Sequence, residues 1–430
     1  MLNIIITILA LGVIVTIHEL GHFTAARLFG VRIEKFSIGF GSPILKFERN
    51  GTEYCISWIP LGGYVKMYGE NPEDEIQDQE GAFQHKAWWN RVIIAFSGPF
   101  ANLLLAILLF FVAFALPNKM EDMRPVVYQA PGISSTIFAA GDSISAVNGS
   151  AVIGWYQAMS LLSRDRDNSV QISRAGTEMS IPIPAAIVDS IIIHVKPVVS
   201  TVVGAVNPGL PAWKAGLKDL DVILTVDSMP VSNWYDMRDQ IVNTSRDSVN
   251  LLIRRDNALL RKTMPLQENL MSDSERIIGI SQYFPIRYAM QRTIPEAATN
   301  SIYGVSNFIV LNYYGLYKLI LKPEQLKSNL GGPVMMATIS QQAGKKGVVY
   351  LILFFGSISL LLMIMNLLPI PILDGGLIFF CFIEAIRRKP LSLKIQGILQ
   401  RVGFAMLMLL MVYAFYADIS TLLIRSFSNH

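Results

Sequence analysis

Charge is scarce in this chain. Of its 430 residues, 16% are Asp, Glu, Lys or Arg and 52% are hydrophobic, whereas a soluble globular chain carries about 25% charge. Mean hydropathy is positive, which places the chain in a membrane rather than in water. Cysteine is scarcer still. The two present, Cys55 and Cys381, are expected in two separate loops, and they exclude both a disulfide framework and a cysteine-built metal site. The net charge of +4 is not gathered into a basic face, so no nucleic-acid partner is expected. The basic residues report topology instead.

What is abundant is long apolar sequence. A hydrocarbon core of roughly 30 Å needs about 20 helical residues, and four stretches qualify: Ile4 to about Leu28, Val92 to Leu116, Val348 to about Leu373, and Val402 to Ile424. The first does not read as a cleaved leader, because no Lys or Arg precedes it and no small-residue cleavage site follows. A fifth stretch, Ile302 to Leu321, carries Ser306, Asn307, Asn312 and several tyrosines, and is expected to form an amphipathic helix on a surface. The loop after the first span holds Arg27, Arg32, Lys35, Lys46, Arg49, Lys66, Lys86 and Arg91, and the loop after the third holds Arg387, Arg388, Lys389, Lys394 and Arg401. The positive-inside bias puts both loops in the cytoplasm, and both termini and the long middle segment outside.

The middle segment, about 120 to 285, reads as short alternating strands with turn signals, and it contains a weak repeat. Ala130-Pro131-Gly132 precedes Gly141-Asp142-Ser143-Ile144-Ser145-Ala146-Val147-Asn148-Gly149; Asn207-Pro208-Gly209 precedes Ala215-Gly216-Leu217 and then Asp221-Val222-Ile223-Leu224-Thr225-Val226-Asp227. This pattern resembles two tandem PDZ domains, 120–198 and 199–285, the first lacking the Ala-Gly-Leu of the second. PDZ domains bind extended peptide by strand addition; a pair that only filters access is the plainer alternative. Residues 1–116 form a first membrane part, 286–345 an amphipathic linker on the outer face ending in Asn329-Leu330-Gly331-Gly332-Pro333, and 346–430 a second membrane part.

The chemistry lies in His18-Glu19-Leu20-Gly21-His22. On a helix, positions i and i+4 share a face, so both imidazoles reach one zinc ion with Glu19 beside them as a base for bound water. A bare HExxH is weak evidence in a soluble protein. Inside an apolar span each ionisable group costs at least about 2.5–3.5 kcal/mol on insertion scales, so three in five residues need a reason to be there. A proton relay or an inert polar cluster is the plainer reading. A hydrolytic zinc site needs a third protein ligand and one open position. His18 lies about 14 residues, or roughly 21 Å, into its span. Asp374 lies in the cytoplasmic half of the third span, after Asn366-Leu367-Leu368-Pro369-Ile370-Pro371-Ile372-Leu373, where two prolines force unwound backbone of the kind that survives at membrane depth only around a cavity. Glu384 and Asp418 are competing acids at less suitable depths. Asp374 is the expected ligand.

These motifs, with Ser97-Gly98-Pro99-Phe100-Ala101-Asn102 opening the second span and Pro60-Leu61-Gly62-Gly63-Tyr64-Val65-Lys66 in the first cytoplasmic loop, resemble the site-2 protease family of intramembrane zinc metalloproteases. The resemblance covers essentially the whole chain in order. It implies a polytopic α-helical protein of a bacterial inner membrane with four transmembrane helices, a cytoplasmic-side membrane-associated β-hairpin and two extracytoplasmic PDZ domains. It implies Zn2+ held by His18, His22 and Asp374, with Glu19 as general base. The substrate it implies is a single-span membrane protein already trimmed outside, such as an anti-sigma factor, or a remnant signal peptide.

A transmembrane substrate keeps its peptide groups hydrogen-bonded within its own helix, so the enzyme must supply replacement partners. Asn102 and Asn366 are candidates, since an amide both donates and accepts; helix-packing glue is the plainer role. The segment Ile33 to Val65, with Gly39, Phe40 and Gly41, is expected to form a hairpin whose edge pairs with extended substrate. Two other classes stand beside the protease. A metal or proton transporter leaves the PDZ pair and the HExxH spacing unexplained, and a non-catalytic PDZ scaffold has no use for Glu19.

Overall fold

A computed structural model describes residues 2–70, 76, 78–269, 272, 275–322 and 332–428. The chain divides into two units, residues 1–116 with 292–419 and residues 117–291 with the carboxyl-terminal tail.

The first unit is helical, with one long hairpin. Four of its helices are long and apolar enough to cross a membrane: Ile6–Leu28, Trp88–Ala115, Val348–Asn366 and Lys394–Ala417. The third and fourth differ most from the expected spans, and the second starts at Trp88 rather than Val92. The third stops at Asn366 rather than near Leu373, because Pro369 and Pro371 each remove a backbone donor and crowd the preceding turn. The chain runs through tight turns and restarts as a separate helix, Asp374–Arg387. The fourth begins at Leu393, before the expected Val402, since Lys394, Gln396, Gln400 and Arg401 are all good helix formers. Asp418's side chain and the Asn329-Leu330-Gly331 part of the linker motif lie outside the described residues.

The helix read as amphipathic starts earlier than expected and spans Ile294–Leu321, opened by a Thr293–Glu296 capping box. Its buried Val305 joins Ala106 and Phe110 of the second helix and Leu360 of Val348–Asn366, with Phe308 and Ile309 packed against them. It leaves Ile302, Tyr303, Val310 and Ile320 exposed.

The hairpin pairs Ile33–Arg49 with Thr52–Met67 antiparallel, and both strands fold over so that Lys35 to Ile38 have partners on both sides, Glu53 to Ile56 on one and Gly63 to Lys66 on the other. It turns at Asn50 and Gly51, both with positive φ. The strand roots are buried with Phe23 and Phe29 of the first helix, while Phe40, Ile44, Leu45, Phe47, Trp58 and Ile59 are exposed. Cys55 lies in the second strand and Cys381 in helix Asp374–Arg387, both buried, so neither is the loop residue expected.

The second unit repeats one plan. Residues 150–151, 143–147, 168–174 and 177–183 form a four-stranded antiparallel sheet in that spatial order, and 229–230, 222–226, 248–255 and 258–265 form another in the same order. Each half is closed by the same device. Arg174, at the end of its strand, grips Asp142 with two N–H donors and the Ile137 carbonyl with a third. Arg255 grips Asp221 and the Gly216 carbonyl in the same way. Burial alone would raise the Asp142 carboxyl, but Arg174 and the Ala139 N–H outweigh it and hold it below the ordinary aspartate range. A single core runs through both halves, from Ile144, Val170 and Ile172 to Ile223, Leu251 and Ile253. Tyr128 of the first half stacks on Tyr235 of the second and donates to Asp236.

Candidate metal centre and active site

Two helices and a hairpin meet where the first span carries its polar residues. Gly21 lies against the Ser97 carbonyl and Gly98 against the His22 ring, so closely that a Cβ at either position would overlap its neighbour. This pair of glycines draws the second helix onto the first, which explains the small residue beside Pro99. It lets the Ile94 carbonyl accept a hydrogen bond from His22 Nδ1 at 2.8 Å. A carbonyl only accepts, so that nitrogen carries the proton, and Nε2 of the neutral ring presents its lone pair to the interior.

Helix restart delivers the third group. Asp374 is the first residue of its helix, and Gly375 and Gly376 pack against the Leu367, Leu368 and Ile370 carbonyls, where no side chain fits. His18 Nε2 stands 3.2 Å from Asp374 Oδ2, His22 Nε2 stands 3.4 Å from Asp374 Oδ1, and the two Nε2 atoms are 3.2 Å apart. The imidazole planes cross at 86°.

This donor set fits zinc. With ligands at about 2.0–2.1 Å, the edge of a tetrahedron is roughly 3.3 Å, close to all three separations. Lone pairs and a carboxylate converging at low exposure repel one another unless a cation lies among them, and Asp374 Oδ2 makes no well-formed hydrogen bond of its own. Among the described residues this is the one group of three or more His, Cys, Asp or Glu side chains able to share a metal.

Both asparagines stand at His18. Asn102, wholly buried, places its amide 3.3 Å from His18 Nδ1, and Asn366 Nδ2 lies 3.1 Å from His18 Nε2. Were Nε2 to hold a metal, His18 Nδ1 would carry the proton and need an acceptor. The Asn102 amide supplies one in the orientation that turns Oδ1, otherwise without a partner, towards the ring. Ser359 in turn donates to the Asn102 carbonyl at 2.8 Å.

Glu19 faces the hairpin. The Val65 N–H donates to Glu19 Oε2 at 3.1 Å, and nearby Gly63 lies against the Ser37 carbonyl so closely that a Cβ there would overlap it. Gly39 and Gly41, both at positive φ, flank Phe40 in the hairpin's first strand, where Phe40 stacks on Tyr64 and Gly39 abuts the Ile59 carbonyl. Those three therefore touch the hairpin's own second strand, whereas Asn102 and Asn366 touch a triad histidine.

Several contacts at the site escape a reading of motifs. Glu384, weighed above as a competing ligand, is paired with Arg91 of the second helix. The Val65 amide and the Ile94 carbonyl are main-chain groups and leave no signature of residue type. Only the Gly62-Gly63 pair hints that backbone comes close there.

The sequence profile of Peptidase family M50 matches residues 6–410. The chain belongs to this family, the site-2 proteases, and is a zinc metalloprotease. It is 33% identical over 447 residues to the regulator of sigma-E protease RseP of Escherichia coli (strain K12), covering 96% of this chain and 98% of that one. It is 32% identical over 451 residues to RseP of Salmonella typhimurium (strain 14028s / SGSC 2262), covering 98% and 99%. A relative from Xylella fastidiosa (strain 9a5c), 32% identical over 437 residues and covered to 97%, carries the words zinc metalloprotease in its name.

Proposed function

We propose that the chain is an intramembrane endopeptidase that cuts the transmembrane helix of single-span proteins in a bacterial inner membrane. Relatives named as regulators of sigma-E support an anti-sigma factor as the substrate class, with remnant signal peptides as a second class. The observation that carries this reading is that His18 and His22, with Glu19 between them on a helix apolar enough to span a bilayer, meet Asp374 at the start of the helix that follows the third span.

His18, His22 and Asp374 would hold the zinc, which would supply an acidified water and a Lewis acid for the scissile carbonyl. Glu19 holds the proton taken from that water on its carboxylate and passes it to the leaving amine. The Val65 N–H fixes the Glu19 carboxylate so that one oxygen stays free for this exchange. Asn102 holds the His18 ring. Asn366, whose amide also reaches His18, is placed to offer a hydrogen bond to a peptide released from its helix. The hairpin edge around Gly39, Phe40 and Gly41 pairs with that unwound strand.

The two halves of the second unit act as extracytoplasmic PDZ domains that select or exclude substrates. In the second half a cavity of about 330 Å³ lies between helix Trp234–Asn243 and the strand around Ile277–Gln282, the place where an added peptide strand would pair.

Glu19→Gln tests the proposal in liposomes carrying a single-span substrate. Retained zinc with cleavage slowed by about 10²–10⁴-fold supports it. Undiminished cleavage removes Glu19 from the reaction.

A further inference from the structure

The end of the first helix and the tip of the hairpin frame an open polar pocket. Arg27 lies in the last turn of the helix and Arg49 ends the hairpin's first strand. With Phe47, Asn50 and Tyr54 they line a cavity of about 330 Å³, within the size range of small-ligand sites. The lining contains two guanidiniums, an amide and a phenol, and no carboxylate.

Two other cations of the hairpin are paired, Lys35 with Glu53 and Lys66 with Glu34. Arg27 is held by neutral oxygens instead. Its Nη2 donates to Thr52 Oγ1 at 3.1 Å and to the Tyr54 hydroxyl at 3.3 Å, while Thr52 donates onward to the Ile33 carbonyl. Its guanidinium also lies over the Phe23 ring at 4.8 Å. The side chain is thus oriented, and its remaining N–H groups stay available to a ligand. Two cations lining one small cavity repel each other; an oxyanion between them turns that repulsion into charge-assisted, bidentate hydrogen bonds.

The surroundings select the kind of anion. The first apolar span ends at Leu28, so Arg27 sits where hydrocarbon gives way to headgroups. Phe47, stacked on Tyr54 at 5.1 Å, is half exposed at the cavity, and Ile44, Leu45, Ile56 and Trp58 continue the apolar surface along the hairpin. We propose that this pocket binds the phosphate of a membrane phospholipid, the headgroup between Arg27 and Arg49 and the acyl chains along the exposed hairpin. Basic pockets beside spanning helices commonly take anionic headgroups in this way. The lipid then serves as a prop that fixes the hairpin against the first helix. A free phosphate shares the oxyanion chemistry but has no use for the apolar flank.

The full chain in detergent, titrated with phosphatidylglycerol or with inorganic phosphate and followed by native mass spectrometry, distinguishes the two. The expected result is one tightly retained phosphatidylglycerol, weakened about tenfold or more in Arg27→Gln/Arg49→Gln, with phosphate failing to displace it. Arg27→Lys/Arg49→Lys, which keeps the charge and loses the fork, should fall between. Zinc content equal to the parent's shows that each variant is folded. An equal loss in Arg387→Gln/Arg388→Gln would reveal diffuse attraction and overturn the proposal, as would displacement of the lipid by millimolar phosphate.

Discussion

Asp374 and Asp142 are both carboxylates held away from water, and the two units treat them in opposite ways. Asp142, 1% exposed, has its counter-cation built into the fold, a guanidinium gripping both oxygens. Asp374 faces two imidazole nitrogens, and no Lys or Arg pairs with it among the described residues. A buried acid whose cation comes from the chain closes a structure, as Asp142 and Asp221 do in the two repeated halves. One whose cation must come from outside defines a site.

The largest test of this contrast removes the acid at each place. Asp374→Ala is expected to lose zinc and all measurable cleavage while the second unit keeps its hydrogen-exchange protection. Zinc content by elemental analysis and exchange mass spectrometry on one sample check both halves of the statement. Next in size is Asn102→Ala. It leaves the ligands in place but frees the His18 ring, and should weaken zinc binding about 10–100-fold in a competition titration with a chelator; unchanged affinity would leave Asn102 a packing residue. Asp142→Ala should spare zinc content and destabilise the first half of the outer unit by about 1–3 kcal/mol, because the freed Arg174 is partly exposed and turns to water.

The smallest effect is one of pH. The Asp142 carboxyl is depressed in the folded state. Its contribution is therefore present above the ordinary aspartate value near 3.9 and is lost as pH falls through the lower folded value. Exchange protection of strands 168–174 and 177–183 should decline in that acid window for the parent and stay flatter there for Asp142→Asn.

Much of this arrangement is legible in the residues. The i,i+4 imidazoles follow from helical spacing, and the apolar runs mark the spanning helices. The depth of Asp374 follows from counting along two spans of the same direction, and Pro369 with Pro371 marks the break before it. The ends of the helices are not legible to the same degree. Hydropathy averages across Pro369–Leu373, where hydrogen bonding stops, and it ignores the polar helix formers ahead of Val402. The repeat in the middle segment shows in its turns, but the Arg174–Asp142 and Arg255–Asp221 grips join residues more than thirty positions apart, and only the folded sheet brings them together. The Glu19–Val65 contact depends on how the hairpin docks, which no local pattern encodes.

Helix Asp374–Arg387 is a short rod with Asp374, the proposed zinc ligand, at one end. The Arg91–Glu384 pair lies about 15 Å further along it. A tilt of about 4° pivoting at that pair moves the carboxylate by about 1 Å over this arm, enough to break a coordination sphere. On the proposed ligand set, the grip on the metal answers to a pairing ten residues along the helix, so loosening that pair should release the ion with every ligand still present.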